Sequence, residues 1–346
     1  MQKAKGNNNN PKTIENMRKY LITLYLLAIV LCSQAQSDGS QLWLGNAQPA
    51  GCKVSCKTEN NATINIAKEV LIQNYQGKEV TLNLDSSLNL GEGYCITESS
   101  ITANNPIGIL YGAYELIRLQ RTDALSTLPK TEKPAVELRI LNHWDNLDGS
   151  IERGYAGKSI WKWEEIKVGK NGKGGSISKS LHDRIVAYAR ANASLGINGS
   201  VLNNVNASPK MMTDLYINKV KVIANILRPY GIRVYLSINF ASPMALGYTK
   251  SADPLDKKVQ QWWQKKAKEI YAAIPDFGGF LVKANSEGQP GPGDYHRTHA
   301  EGANMLADAL KPYGGIVMWR SFVYGANHKG EDRVKQAVSE FKDLDG

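Results

Sequence analysis

The chain has 346 residues, 42 % of them hydrophobic, and a formal charge of +10. That is enough apolar material for two domains or one large barrel with an appendage, and bulk disorder is excluded. The 42 basic residues against 32 acids form no basic run, so nucleic-acid binding is not implied; the modest excess suits an acidic ligand.

Residues 1–16 are polar, carry the run Asn7 to Asn10 before Pro11, and have no apolar period. Met17-Arg18-Lys19-Tyr20, the apolar run Leu21 to Leu31 and Ser33-Gln34-Ala35 then follow the three-part order of a secretory signal peptide. Met17 is read as the start, with cleavage after Ala35 and export to the periplasm or exterior. The apolar run is too short to span a bilayer, so no stable membrane anchor is expected. A lipoprotein anchor at Cys32 is the rival, disfavoured by the bulky Leu31 before it. Residues 1–35 hold five cations (Lys3, Lys5, Lys12, Arg18, Lys19) and one acid (Glu15), so cleavage lowers the charge from +10 to +6. Cys52, Cys56 and Cys95 remain, an odd number in an exported chain; a Cys52–Cys56 disulfide is the candidate pairing. No histidine or second cysteine pair lies near them, which argues against zinc.

Residues 36–134 read as a small α+β domain with its linker. The alternating runs Leu42-Trp43-Leu44, Val80 to Leu84 and Gly93 to Thr97 predict strands, and Ile107 to Arg121 predicts a helix. Asp123 to Pro134, rich in Thr, Ser, Lys and Pro, fits a linker.

From residue 135 to 346 strands alternate with helices. The strands expected are Glu137–Asn142, Gly199–Asn204, Arg233–Phe240, Gly278–Asn285 and Gly315–Phe322; the helices are Ser180–Leu195, Thr213–Leu227, Asp256–Ile274, Thr298–Leu310 and Glu331–Phe341. This pattern predicts an α/β fold with a parallel sheet. A polar residue at each strand end points to a (β/α)8 TIM-type barrel. Only about five β/α units fit where a closed barrel needs eight, so the barrel is expected to be incomplete at the C-terminal side. An open five-stranded α/β sheet is the alternative.

In a parallel barrel, the strand C-terminal ends build the active site. Gly278 to Lys283 runs into Glu287 and a Gly/Pro cluster, which makes Lys283 and Glu287 site candidates. Glycoside hydrolysis requires a carboxylic acid to protonate the leaving oxygen and a second carboxylate as base or nucleophile. Glu287 suits the acid. Lys283 and Arg320, at neighbouring strand ends, suit an anionic group on a substrate, a point charge and a fork respectively; ion pairing around the barrel mouth is the competing role. The stretch Asn142 to Tyr155, with Trp161 and Trp163 beyond it, places aromatic and polar side chains where a sugar face stacks, and each tryptophan is equally suited to capping the core. His143 and Asp145 with His296 and His299 are the only combination suggesting a metal-dependent barrel hydrolase. The Gly172 to Gly175 stretch lacks the strand-turn-helix context of a phosphate loop.

Four motifs, Asn142 through Gly157, Gly196 through Ala207, Lys283 through Pro292 and Thr298 through Phe322, resemble the α-glucuronidases of glycoside hydrolase family 67. The resemblance covers about everything from Leu42 onward. It implies an inverting enzyme that removes glucuronic acid, or its 4-O-methyl form, from xylooligosaccharides derived from glucuronoxylan. On it, Glu287 matches the general acid, Lys283 and Arg320 match residues that hold the uronic acid carboxylate, and Trp161 matches an aromatic lining that pocket. No cofactor is implied, and relatives form homodimers through parts absent here. Asn285 stands where Asp is expected. The basic side of the reaction falls on an Asp and a Glu within and after a Lys-Asn-Gly-Pro stretch that these residues do not reach. The expectation is therefore a fragment, inactive alone, of an active α-glucuronidase. The alternative is a non-catalytic acidic-sugar-binding protein.

Overall fold

A computed structural model describes residues 51–57, 61–154, 157–169, 175–321 and 333–345. The expected signal peptide, Cys32, the Leu42–Leu44 strand and most of the Gly172–Gly175 stretch lie outside these residues.

The first sheet comprises β1 (Lys53–Cys56), β2 (Glu79–Leu84), β3 (Tyr94–Ile96), β4 (Ser100–Ala103) and β5 (Lys130–Glu132), in the order β1-β2-β4-β3-β5. β1, β2 and β4 run parallel, whereas β3 is antiparallel to both β4 and β5. α1 (Ala62–Asn74) and α2 (Pro106–Arg121) pack together on it. Each helix starts on an asparagine whose side chain accepts a backbone N–H: Asn61 from Ile64, and Asn105 from Gly108, with Pro106 fixing the first helical φ. Two expectations change here. Lys130–Glu132, within the segment expected to be a linker, is a paired edge strand. The cysteines are free: Cys52 and Cys56 flank an extended strand, which at about 3.3 Å per residue separates them by roughly 13 Å, beyond the reach of a disulfide.

The second sheet is wholly parallel. It contains β6 (Ile140–Asn142), β9 (Gly199–Val201), β10 (Arg233–Ile238), β11 (Gly279–Ala284) and β12 (Ile316–Ser321), in the spatial order β12-β11-β10-β9-β6; a small hairpin, β7 (Lys167–Val168) with β8 (Gly175–Ser176), lies between β6 and β9 in the chain. The crossovers contain α3 (Lys179–Ser194), α4 (Asp214–Leu227), the short α5 (Ser242–Ala245), α6 (Lys257–Ala273) and α7 (His299–Leu310); α8 (Arg333–Phe341) follows β12. Both sheets belong to one compact unit, Ala47–Gly346. They meet where Glu92 accepts from Arg139, just before β6, and from Asn198, just before β9.

β11 is buried along its whole length and β10 at every residue but the first, as central parallel strands covered on both faces must be. Alternation along the strands divides the two faces. Val201, Tyr235 and Leu281 form one cluster, with Ile140, Ile316 and Met318 packed against it from the neighbouring strands. By the same alternation Lys283 and Arg320 continue this face toward the C-terminal end of the sheet. Phe280 and Val282, both fully buried, point to the other side, where Phe280 meets Trp263 of α6. Gly279 has φ 138°, and a Cβ there would sit 1.9 Å from the Ile316 carbonyl oxygen, so only glycine lets β11 pair with β12 at this point.

Candidate active site

The site begins with a buried amine at the end of a strand. Lys283 is 2 % exposed, and its Nζ donates to Asn206 Oδ1 at 2.8 Å and to Glu287 Oε2 at 2.5 Å. An ammonium withdrawn from water requires such partners. Asn206 reaches it from the loop after β9, and Glu287 from the turn that ends β11. The turn is tight: Asn285, Glu287 and Gly288 have φ of 50°, 46° and 78°, and the Gln289 N–H donates to the Ser286 carbonyl at 2.9 Å. Such backbone turns Glu287 back over Lys283, the residue four positions earlier.

Asn285 explains part of the geometry. Asparagine tolerates the left-handed conformation, and its side chain points to the next turn, where Oδ1 accepts the Gly293 N–H at 2.7 Å and Nδ2 donates to Asp294 at 3.1 Å. The amide at this position is matched to the Asp294 carboxylate. An aspartate would lose that donor and set two carboxylates together.

Arg153 completes the cluster. Its Nη2 lies 3.3 Å from Glu287 Oε1, so the two oxygens of Glu287 face cations from two different elements, β11 and the loop after β6, while the carboxylate itself remains 47 % exposed. Glu152, next to Arg153, accepts from Asn204 Nδ2 at 2.5 Å and so ties this loop to the one after β9. The hydrogen bond and charge of Lys283, with the more distant Arg153, hold the Glu287 carboxyl below the usual glutamate range. In this unliganded site Glu287 is therefore a carboxylate at neutral pH.

Arg320 is the cross-strand partner of Lys283 in the β11–β12 register and is partly buried. Trp161 is placed differently from the expectation. It is fully buried, its ring edge-on to His143 and Tyr188, and Trp163 is also buried. Both tryptophans cap the core here, and Trp161 presents no open face to a sugar. Around Trp161 runs a polar chain: Asp145 accepts from Ser159 Oγ and the Ile160 N–H, its Oδ2 lies 3.3 Å from His143 Nδ1, His143 Nε2 meets the Tyr188 hydroxyl at 2.8 Å, and that hydroxyl meets Ser200 at 2.9 Å. Burial pushes the Tyr188 phenol up to about 12, so it stays neutral in this chain.

The histidine combination is not assembled. His143 is engaged as above, while His299 Nδ1 takes the Trp319 indole N–H at 3.2 Å, and burial lowers its pKa. Among the described residues no three His, Cys, Asp or Glu side chains converge on a point fit for a metal. Beside the Lys283 cluster a polar cavity of about 330 Å³ opens between the loops after β6 and β9, lined among others by Asp145, Asn146, Asn203, Asn204, Asn206 and Tyr216. Asn206 is shared between that wall and Lys283.

The sequence profile of the glycosyl hydrolase family 67 middle domain matches residues 118–346. The probable alpha-glucuronidase A of Aspergillus fumigatus is 47 % identical over 251 residues, which are 71 % of this chain and 28 % of that protein. The chain belongs to glycoside hydrolase family 67. The probable alpha-glucuronidase A of Neosartorya fischeri is 48 % identical over 244 residues, 69 % of this chain and again 28 % of the relative. The chain thus spans little more than a quarter of the length of the curated family 67 proteins it matches. Among solved structures, a GH20 β-N-acetylhexosaminidase from Streptomyces coelicolor A3(2) aligns over 86 % of this chain and 70 % of its own, at 10 % identity and a TM-score of 0.48. That similarity is too remote to bear on the site.

Of the sequence candidates, the structure brings Glu287 and Lys283 together and sets Arg320 beside them in register. Arg153 and Asn206 were not singled out from the sequence. Both fall within the family motifs, but their contacts join residues 134 and 77 positions apart, and no local pattern signals that.

Proposed function

We propose that these residues form the acid side of an α-glucuronidase active site, one that hydrolyses the α-1,2 bond between glucuronic acid, or its 4-O-methyl form, and a xylooligosaccharide with inversion. The observation that carries the reading is the buried Lys283 bonded to Glu287 at a strand C-terminal end, with Arg320 in register beside it. Lys283 and Arg320 bind the uronic acid carboxylate. Glu287 protonates the departing glycosidic oxygen. Inversion also requires a carboxylate to activate water, separated from the acid by roughly 6.5–9.5 Å; in this reading the parts of the relatives that the chain does not span supply it.

The same reading places the parallel sheet within a (β/α)8 TIM-type barrel. Its support is that, among the described residues, β6 and β12 each pair on one side only, and that the face bearing Ile140, Ile316 and Met318 is only partly covered. Residues 36–134 are then a small α+β domain before the barrel of residues 135–346, and residues 1–35 an extension with a signal peptide that exports the protein. The parent enzyme acts as a homodimer.

One observation favours the binding-protein alternative: Glu287 is held ionised in the free site, the wrong state for an acid. Glucuronic acid release from aldouronic acids separates the two readings, measured for the 346-residue chain and for the polypeptide continued along its reading frame. Release by either form, lost on Glu287→Gln, supports the enzyme. Tight binding of aldouronic acid without release by either supports the binding protein.

A further inference from the structure

Glu287 cannot donate a proton while Lys283 and Arg153 hold its two oxygens, and this conflict within the proposed active site points to how it is resolved. The charged groups that face Glu287 among the described residues are Lys283 from β11 and Arg153 from the loop after β6; Arg320 stands in register with Lys283 on β12. Lys283 is buried and anchored by Asn206, so it keeps its place when its partner changes. Arg153 is half exposed and Glu287 nearly so, which leaves both accessible to a ligand.

We propose that Arg153 and Lys283 form a clamp which the carboxylate of an acidic sugar takes over from Glu287, so that the acid is freed for protonation only when the bound substrate carries that carboxylate. The proposal rests on the reading of the site given above and assigns Arg153 a role in it. Two effects act together. The incoming carboxylate accepts the hydrogen bonds that had kept Glu287 ionised, and its own negative charge then disfavours a second one nearby. Glu287 takes a proton from solvent, to which it is open, and passes that proton to the glycosidic oxygen as the bond to the sugar breaks. A neutral hexose with the same ring offers no such exchange. It leaves Glu287 clamped and ionised, so discrimination appears in turnover as well as in affinity.

The test is carbon-13 NMR of the glutamate carboxyls in the 346-residue chain, with the Glu287 signal assigned by its loss in Glu287→Gln. Without ligand, Glu287 titrates below the ordinary glutamate range. Saturating glucuronate moves that titration upward by about one pH unit or more, whereas glucose does not move it. Arg153→Met weakens glucuronate binding about tenfold or more, as loss of a charge-assisted contact should, with glucose binding unchanged. If glucuronate binds in preference to glucose but the Glu287 titration stays fixed, or if Arg153→Met leaves glucuronate affinity intact, the clamp is overturned and the site reading stands. If glucuronate shows no preference over glucose, the site reading fails and the clamp fails with it.

Discussion

Replacing Lys283 by methionine is the most discriminating single change. The side chain is 2 % exposed and methionine is close to it in volume, so the packing of β11 is retained while the donor to Glu287 and Asn206 disappears. Removing one member of a buried ion pair is damaging chiefly when the other is left stranded in the interior. Here the partner, Glu287, is 47 % exposed and regains water. Stability at neutral pH should therefore change little, while recognition of an anionic sugar loses a charge-assisted hydrogen bond. Such a bond contributes about 1.5–3 kcal/mol, which corresponds to roughly a ten- to hundredfold rise in Kd. Titration calorimetry of the 346-residue chain with glucuronate and with glucose reads this directly. The expected result is a selective loss of glucuronate affinity. Equal weakening for both sugars, or none for either, would refute the assignment of Lys283 to the carboxylate.

The same pair has a pH signature. The folded-state pKa of Glu287 is depressed, so its contribution to stability is full above the unfolded value of about 4.3 and is lost as pH falls through the folded value. Denaturation midpoints should accordingly decline in that acid window for the native chain, and decline less for Lys283→Met. Gly279→Ala should cost about 3 kcal/mol or more, because it adds a Cβ at φ 138° against the Ile316 carbonyl; a chemical-denaturation midpoint near the native one would show that β12 yields. Asn285→Asp should destabilise by about 1 kcal/mol at neutral pH, through loss of the donor to Asp294 and carboxylate repulsion. The chemical-denaturation midpoint reads that loss, and a midpoint equal to the native one would show that the amide donor to Asp294 contributes nothing.

The parallel sheet was legible because its central strands are apolar on both faces. Arg233–Ile238 and Gly279–Ala284 fall inside the expected segments, and α3, α4, α6 and α7 begin within two residues of the expected positions, with Ser178, Asp256 and Thr298 as recognisable caps, whereas the short α5 was not expected. α1 was missed although its buried residues Ile64, Ala67, Val70, Leu71 and Asn74 follow helical spacing; the β-branched run that includes Thr63, Ile64, Ile66, Val70 and Ile72 reads as strand on propensity, and packing against α2 decides otherwise. β5 was not legible at all. Lys130–Glu132 is polar and short, as an edge strand can be, and only its pairing with β3 defines it. The disulfide failed on a geometry the spacing already contained, since four residues of extended chain are too long to bridge. Within the site, Lys283 and Glu287 were visible because they end a hydrophobic strand. Arg153 reaches Glu287 only through the folded loop, and the burial of Trp161 depends on α3, whose Tyr188 closes over it.

The central claim is that Glu287 gives a proton to a leaving sugar, and the identity of the leaving group tests it. In the longest form of the polypeptide that releases glucuronic acid, the Glu287→Gln variant should be compared with the native protein on an aldouronic acid and on α-D-glucuronyl fluoride, whose fluoride departs without a proton donor. A general acid contributes typically about 10²–10⁴-fold. The account predicts a loss of that order on the aldouronic acid and nearly native hydrolysis of the fluoride. Equal losses on both would show that Glu287 serves binding or structure and that the proton comes from elsewhere.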